Sequence, residues 1–200
     1  MNKNEIIQQT NLAFDFLQKL YFETSYLIKE IEGLLAEEEE RFVIGRTGGY
    51  GITNRSSSGL EINHVSLWPL RMLSVFFVPE ELTKIAGGVT LTKFVKGLKI
   101  IYLRVVLDER DIKEPYINIG IIYNITEKGN ERLNKFEHLI THIEYRYDKV
   151  FTGDKSVDYE DGFIEFKGKF ICINLFDVNS SEEIIKLVTT PVLKIFRETK

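Results

Sequence analysis

A heptad repeat of apolar residues dominates the start of the chain. Between about Asn4 and Glu40 there is no proline, and large apolar side chains recur every seven residues, with a second apolar series beside them. The repeat consists of Ile7, Phe14, Tyr21, Ile28 and Leu35. This pattern predicts one long amphipathic helix over 4–40.

The length of this predicted helix bears on what covers its apolar side. At about 1.5 Å per residue it would reach roughly 50 Å, more than one face of a compact domain of this size needs. Either the whole stripe packs on the chain's own sheet, or part of it packs outside the domain. Thr10 and Thr24 interrupt the second apolar series, so a coiled coil is only one form of such packing. The acidic run 37–40 stands at the helix pole that disfavours carboxylates, and we expect it to fray.

Short apolar runs follow the helix. Phe42–Ile44 is a predicted strand. Residues 67–88 predict two short helices, because each of the two prolines in this segment fits a first-turn position. Residues 98–107 and 116–125 are rich in Ile, Val and Tyr, and the charged segment between them favours an antiparallel hairpin.

The spacing of apolar residues changes twice between residues 131 and 176. Residues 131–147 repeat apolar side chains at helical spacing and predict a helix with one buried face. The polar stretch 148–161 predicts a loop. Residues 163–167 and 170–176 predict two strands that turn at Gly168.

The last predicted element is a helix that opens with a capping box formed by Ser180 and Glu183. Pro191 interrupts it, so we expect a kink or a restart near Thr190. Helices around a mainly antiparallel sheet built from hairpins make an α+β fold, and no repeat or linker divides residues 1–200 into smaller domains.

Composition narrows the function classes. The 26 Lys and Arg against 30 Asp and Glu give a net charge of −4, which argues against non-specific nucleic-acid binding. The longest apolar stretch is too short to span a bilayer, and the start lacks the features of a secretory signal, so no membrane contact is expected. The single cysteine, Cys172, favours a reducing compartment and a buried, inert thiol. The cytoplasm is the expected location.

The strongest catalytic candidate is the segment 164–167. On a strand, Glu165 and Lys167 share one face, and a carboxylate beside an ammonium can hold a divalent metal ion and stabilise a phosphoryl transition state. These four residues resemble the acidic-x-lysine strand of the PD-(D/E)xK nuclease superfamily. The resemblance implies an upstream metal-binding aspartate, for which Asp161 is a candidate; the alternative interpretation is a surface charge pair.

Two histidines form the second candidate. His138 and His142 stand four residues apart on a predicted helix, so both imidazoles could reach one metal ion. Their helical angles place them opposite the apolar face. Glu137 precedes the first histidine, so the metalloprotease order is absent, and a solvated polar face is the alternative.

A glycine-rich loop over 45–59 is the third candidate. Its backbone N–H groups could surround a phosphate or nucleotide, with arginines adding positive charge, although its spacing matches neither a Walker A nor a dinucleotide-binding pattern. The alternative is a surface loop that a partner orders. The proposed ligand-binding residues are Arg46, Gly48, Gly49, Gly51 and Arg55.

Three functional hypotheses follow. The leading one is a non-catalytic protein that acts by association through helix 4–40, as a homo-oligomer or as a subunit of a larger complex, because the helix is long and no catalytic constellation is complete. The 14 Phe and 9 Tyr residues are of a type favoured at interfaces. The alternatives are a metal-dependent nuclease and an anion or nucleotide sensor.

Overall fold

The computed structural model describes residues 2–45, 71–85, 97–108, 113–128, 143 and 153–199. They form an N-terminal helix, a six-stranded antiparallel sheet and a C-terminal helical segment, which confirms the predicted α+β class. The helices are α1 Lys3–Ala36, α2 Glu80–Ile85, α3 Ser181–Glu183 and α4 Thr190–Glu198. The strands are β1 Phe42–Ile44, β2 Met72–Pro79, β3 Ile100–Val106, β4 Tyr116–Glu127, β5 Lys155–Glu160 and β6 Ile164–Asn174.

The long helix α1 covers Lys3–Ala36, where the sequence predicted 4–40 with a frayed end. Asn2 accepts a hydrogen bond from the Glu5 backbone N–H, and the Glu5 carboxylate accepts one from the Asn2 backbone N–H, which satisfies two donors at the helix start. At the other end the helix stops at Ala36. The acidic run 37–40 lies outside it, as expected for carboxylates at the negative helix pole.

The sheet has the order β1-β2-β3-β4-β6-β5, and all its pairs are antiparallel. The predicted β3–β4 hairpin is confirmed, with Tyr102 opposite Gly120. A Cβ atom at Gly120 would collide with the Lys169 carbonyl oxygen and the Phe170 ring, so only glycine fits this approach between β4 and β6.

Two cores flank the sheet because successive strand residues point to opposite faces. One core, which we call the helix-side core, joins strand residues such as Phe77, Leu103 and Ile119 to apolar residues of α1 and α4. The opposite-side core includes Phe76, Tyr102, Phe166 and Phe170. The predicted helix 131–147 lies outside the described residues except for Ile143, which is buried in the opposite-side core.

The prediction of two helices over 67–88 was half wrong. Residues 72–79 form strand β2, and among the described residues of this segment the only helix is α2, directly after Pro79. Six consecutive residues of β2 are buried. A strand covered on both faces has a nearly continuous apolar sequence, which period alone cannot distinguish from a buried helix.

The loop predicted over 148–161 was also wrong over its last part, since residues 155–160 form β5. This strand lies at the sheet edge, where alternating polar residues replace an apolar run. The predicted turn at Gly168 was wrong as well, because β6 is continuous through it. A Cβ atom there would lie 2.5 Å from the Phe170 ring, so the glycine serves close packing.

The C-terminal helical segment begins as predicted. The Ser180 side chain accepts a hydrogen bond from the Glu183 backbone N–H, although the Glu183 carboxylate binds the backbone N–H of Asn179 and not that of Ser180. Residues 184–189 have π-helical hydrogen bonding, and α4 follows from Thr190 without a break, because Thr189 and Thr190 both have right-handed helical backbone angles. The interruption predicted at Pro191 is therefore a change of hydrogen-bonding pattern and not a restart of the helix.

Candidate interaction site

The two halves of α1 have different surroundings. We call residues 3–19 the projecting half and residues 24–36 the packed half. All residues from 2 to 16 are exposed, whereas the packed half contributes the buried residues of α1 to the domain. Those buried residues are Thr24, Leu27, Ile28, Ile31 and Leu35. The structure therefore does not bury the whole stripe against the chain's own sheet.

The apolar stripe itself does not stop where burial stops. Going toward the N-terminus at steps of three or four residues, the stripe of the packed half continues through Leu20, Leu17 and Ala13, is interrupted at Thr10, and resumes at Ile6. Side chains at these spacings lie on one helix face. The projecting half thus presents to solvent the same kind of face that the packed half buries.

Large apolar side chains are concentrated on this exposed part of α1. Phe14 is 69% exposed and Phe16 is 64% exposed, values far outside the range of core aromatic residues. Of the nine exposed large apolar residues among those described, seven belong to α1. They are Ile6, Ile7, Leu12, Phe14, Phe16, Phe22 and Tyr26. At about 100° per residue these side chains point to several sides of the helix, so the exposed apolar surface surrounds this part of α1 and does not form a single patch.

A groove lies between the middle of α1 and the segment that leads from β6 into the C-terminal helical segment. Its volume is about 360 Å³. Its lining includes Leu20, Glu23, Leu27, Glu30, Phe176 and Ile184. Phe176 is 61% exposed at its wall. The groove therefore extends the exposed apolar surface of the projecting half onto the body of the domain.

An ionic cluster connects the end of α1 to α4. The Arg197 guanidinium lies 2.7 Å from a carboxylate oxygen of Glu38 and 3.0 Å from one of Glu40. The hydrogen bond from Arg197 lowers the pKa of Glu40 despite some burial of that carboxyl group, and the hydrogen bonds to Glu40 and Glu38 raise the pKa of Arg197. This cluster lies just after the packed half and helps to hold it in place. Among the described residues, the hydrogen bonds of the projecting half are those within α1.

The candidate catalytic residues on β6 lie in a network of ion pairs. Glu165 is 3.7 Å from the Lys128 ammonium, and Lys167 is 3.5 Å from a carboxylate oxygen of Asp158. Asp161 lies in the turn between β5 and β6, where its side chain accepts hydrogen bonds from the backbone N–H groups of residues 163 and 164. In the part of the chain that the structure describes, no three His, Cys, Asp or Glu side chains are grouped so that they could hold a metal ion.

The other two candidate sites cannot be compared with the structure. His138 and His142 lie outside the described residues, and so do the proposed ligand-binding residues of the glycine-rich loop. The latter are Arg46, Gly48, Gly49, Gly51 and Arg55. The metal and anion hypotheses at these positions stay predictions.

Cys172 is half-buried on β6. Burial, and to a lesser extent the Asp154 carboxylate, raise the pKa of its thiol. The thiol is therefore protonated at neutral pH, which agrees with the inert role predicted for it.

The groove is the feature that sequence reasoning missed. Its α1 wall belongs to the predicted helix, but its other wall depends on a 3-10 turn over Leu175–Asp177 directly after β6. The one sequence signal was Asn174, whose side chain accepts a hydrogen bond from the Phe176 backbone N–H, because asparagine favours such turns. Nothing in the sequence pattern indicated that Phe176 would face outward.

Comparisons of the chain with protein-family models, with curated proteins and with solved structures found no match. Within the described residues, no helix is long and apolar enough to cross a membrane.

Proposed function

We propose that this protein is a non-catalytic, cytoplasmic assembly protein that acts through α1, as a homo-oligomer or as a subunit of a larger complex. The observation that carries the proposal is the continuous exposure of residues 2–16 on a helix whose apolar stripe continues beyond the packed half. Most of the stability of a protein helix comes from packing of its apolar face, and a segment of this length is marginal alone in water. A partner that covers the projecting half supplies that packing.

A second copy of the chain is the partner that the charges favour. Residues 2–22 carry only four charged side chains, Lys3, Glu5, Asp15 and Lys19, whose formal charges sum to zero. Two such segments do not repel one another, and an apolar helix face can pair with its own copy about a twofold axis. The groove beside Phe176 gives the approaching helix an additional apolar contact on the domain.

Two double variants test the proposal by light scattering and sedimentation. Phe14→Glu with Phe16→Glu replaces two exposed apolar side chains by charges, while Gln8→Glu with Gln18→Glu adds the same charge to the same helix and removes no apolar surface. We expect the wild type and the glutamine variant to be dimers or larger, and the phenylalanine variant to be a folded monomer. A wild type that is monomeric at high micromolar concentration, with no partner co-purifying, would count against the proposal.

A separate experiment addresses the nuclease alternative. If Glu165 and Lys167 are a surface charge pair, replacing both by threonine changes the free energy of unfolding by well under about 1 kcal/mol, because exposed ion pairs contribute little and threonine suits a strand. We also expect no magnesium- or manganese-dependent cleavage of nucleic acid by the wild type. Cleavage that disappears in the double variant would make the nuclease the leading function.

A further inference from the structure

The first two turns of α1 carry a lysine and two isoleucines on one side of the helix. At about 100° per residue, Lys3, Ile6 and Ile7 lie within roughly 100° of the helix circumference. All three are exposed. Glu5 points to the opposite side, where both of its carboxylate oxygens bind Asn2. Among the described residues, the Lys3 ammonium has no ion-pair partner, so this side of the helix presents a free cation next to two apolar side chains.

The groove beside Phe176 has the complementary chemistry. Its walls include the apolar side chains of Leu20, Phe176 and Ile184. Among the described residues that line it, the two charged side chains are those of Glu23 and Glu30, which lie two turns apart on the same side of α1. Neither carboxylate has an ion-pair partner in the part of the chain that the structure describes. The groove therefore suits an apolar side chain that is accompanied by a cation.

The spacing of residues along α1 allows a second copy to bring these two features together. When two copies of α1 run antiparallel and cross at Ala13, Ile6 of each copy lies opposite Leu20 of the other, and Lys3 lies opposite Glu23. Residues 6, 13 and 20 are seven apart and share one side of the helix, so all three can contact the other copy. The small side chain of Ala13 allows the two helices to approach closely at the crossing.

The charges disfavour a parallel pair. In a parallel pair about a twofold axis, residues of the same number face each other, so Glu23 and Glu30 of one copy would meet the same carboxylates of the other. The first turn would also be too far away to neutralise them, since Lys3 and Leu20 are about 25 Å apart along the helix at about 1.5 Å per residue. An antiparallel pair replaces this repulsion with two attractive lysine–glutamate contacts.

We propose that the groove receives the first two turns of α1 from a second copy of the chain, in an antiparallel dimer with twofold symmetry. Ile6 of one copy packs against Leu20 of the other, and Lys3 pairs with Glu23. The inference rests on the proposed assembly function and specifies its partner and orientation. Each copy fills the groove of the other, so the contact closes at two copies and leaves neither groove open for a third.

Disulfide cross-linking of the full chain tests the orientation. In a Cys172→Ala background, the double variant Ile6→Cys with Leu20→Cys should form disulfide-linked dimers, whereas each single variant should not. A bond within one chain is impossible, because residues 6 and 20 are about 21 Å apart along α1 and a disulfide spans less than about 7 Å between Cα atoms. Linked dimers of both single variants would reveal a parallel pair and overturn the proposal.

Charge reversal tests the ion pair in a chain without added cysteines. Lys3→Glu and Glu23→Lys should each raise the dimer Kd by about tenfold, because symmetry places the pair twice in the dimer, and the two together should restore it to within about threefold of the wild type. The control Glu39→Lys, an exposed position after α1, should leave Kd unchanged. A dimer whose Kd ignores the reversals would refute this inference alone, whereas a monomeric wild type would also refute self-association as the function.

Discussion

The projecting and packed halves of α1 share one amphipathic pattern and have opposite surroundings. Ile31 in the packed half is completely buried, whereas Ile6 on the same stripe is 48% exposed. Both halves satisfy the helical period, and one capped start serves them both. An amphipathic pattern therefore determines which face of a helix is to be covered. It does not determine whether the covering surface belongs to the same chain.

The largest expected effect comes from a substitution in the packed half. Ile31→Ala removes a fully buried side chain from the helix-side core and should lower the free energy of unfolding by about 2 to 5 kcal/mol, through lost burial and the cavity that remains. Chemical denaturation measures the change. A loss under about 1 kcal/mol would mean that the packed half is not held against the sheet as described.

A smaller effect is expected in the ionic cluster that follows the packed half. Arg197→Met keeps the apolar stem but removes the ion pairs with Glu38 and Glu40, which are partly exposed and screened by solvent. We expect a loss of about 0.5 to 1 kcal/mol at pH 7. The matched substitution Lys194→Met in α4, which removes an exposed pair with Glu198, should cost less.

The stability difference between the wild type and Arg197→Met should change with pH in one direction. Arg197 holds the pKa of Glu40 below its ordinary value of 4.5, so the folded protein binds this proton less readily than the unfolded chain does. The stabilisation is therefore present above pH 4.5 and is lost as the pH falls through the lowered folded value. The difference between wild type and Arg197→Met should shrink over this acid range, and a difference that grows there would refute the assignment.

The smallest effect on the fold is expected in the projecting half. Ile6→Ala, the same substitution as in the packed half, should change the free energy of unfolding by less than about 0.5 kcal/mol when measured in dilute solution, because this side chain is 48% exposed and lies outside both cores. At high protein concentration the same variant should unfold more readily than the wild type if assembly stabilises α1. If Ile6→Ala and Ile31→Ala lowered the free energy of unfolding equally in dilute solution, the distinction between the two halves would be wrong.

The sequence predicted those elements in which local pattern and burial agree. The period of α1, the Ile- and Val-rich β3 and β4, and the Ser180 cap were all predictable. Strand β2 was not, because burial on both faces removes the alternation that distinguishes a strand. The polar edge strand β5 failed for the opposite reason, since it has few apolar residues to show a period.

Some features of the candidate sites could not be predicted from the sequence, because they depend on tertiary contacts. Ser74, Arg104, Asn118 and Cys172 lie side by side across four strands, and the local sequence around each of them does not indicate this. Only the register of the sheet brings Arg104 beside Asn118. The groove likewise requires the position of Phe176 relative to α1, which depends on where β6 ends. By contrast, the length of the predicted helix made exposure of part of the α1 stripe one of the two alternatives that the sequence left open.

Hydrogen exchange at increasing protein concentration tests the central claim most directly. The amides of residues 6–19 should exchange rapidly at low micromolar concentration, where the projecting half is uncovered, and should become protected as the concentration rises and copies associate. The amides of residues 27–36 should be protected throughout, because the domain itself buries that part of α1. Protection of residues 6–19 that does not change with concentration, whether strong or absent, would contradict self-association of this protein through α1.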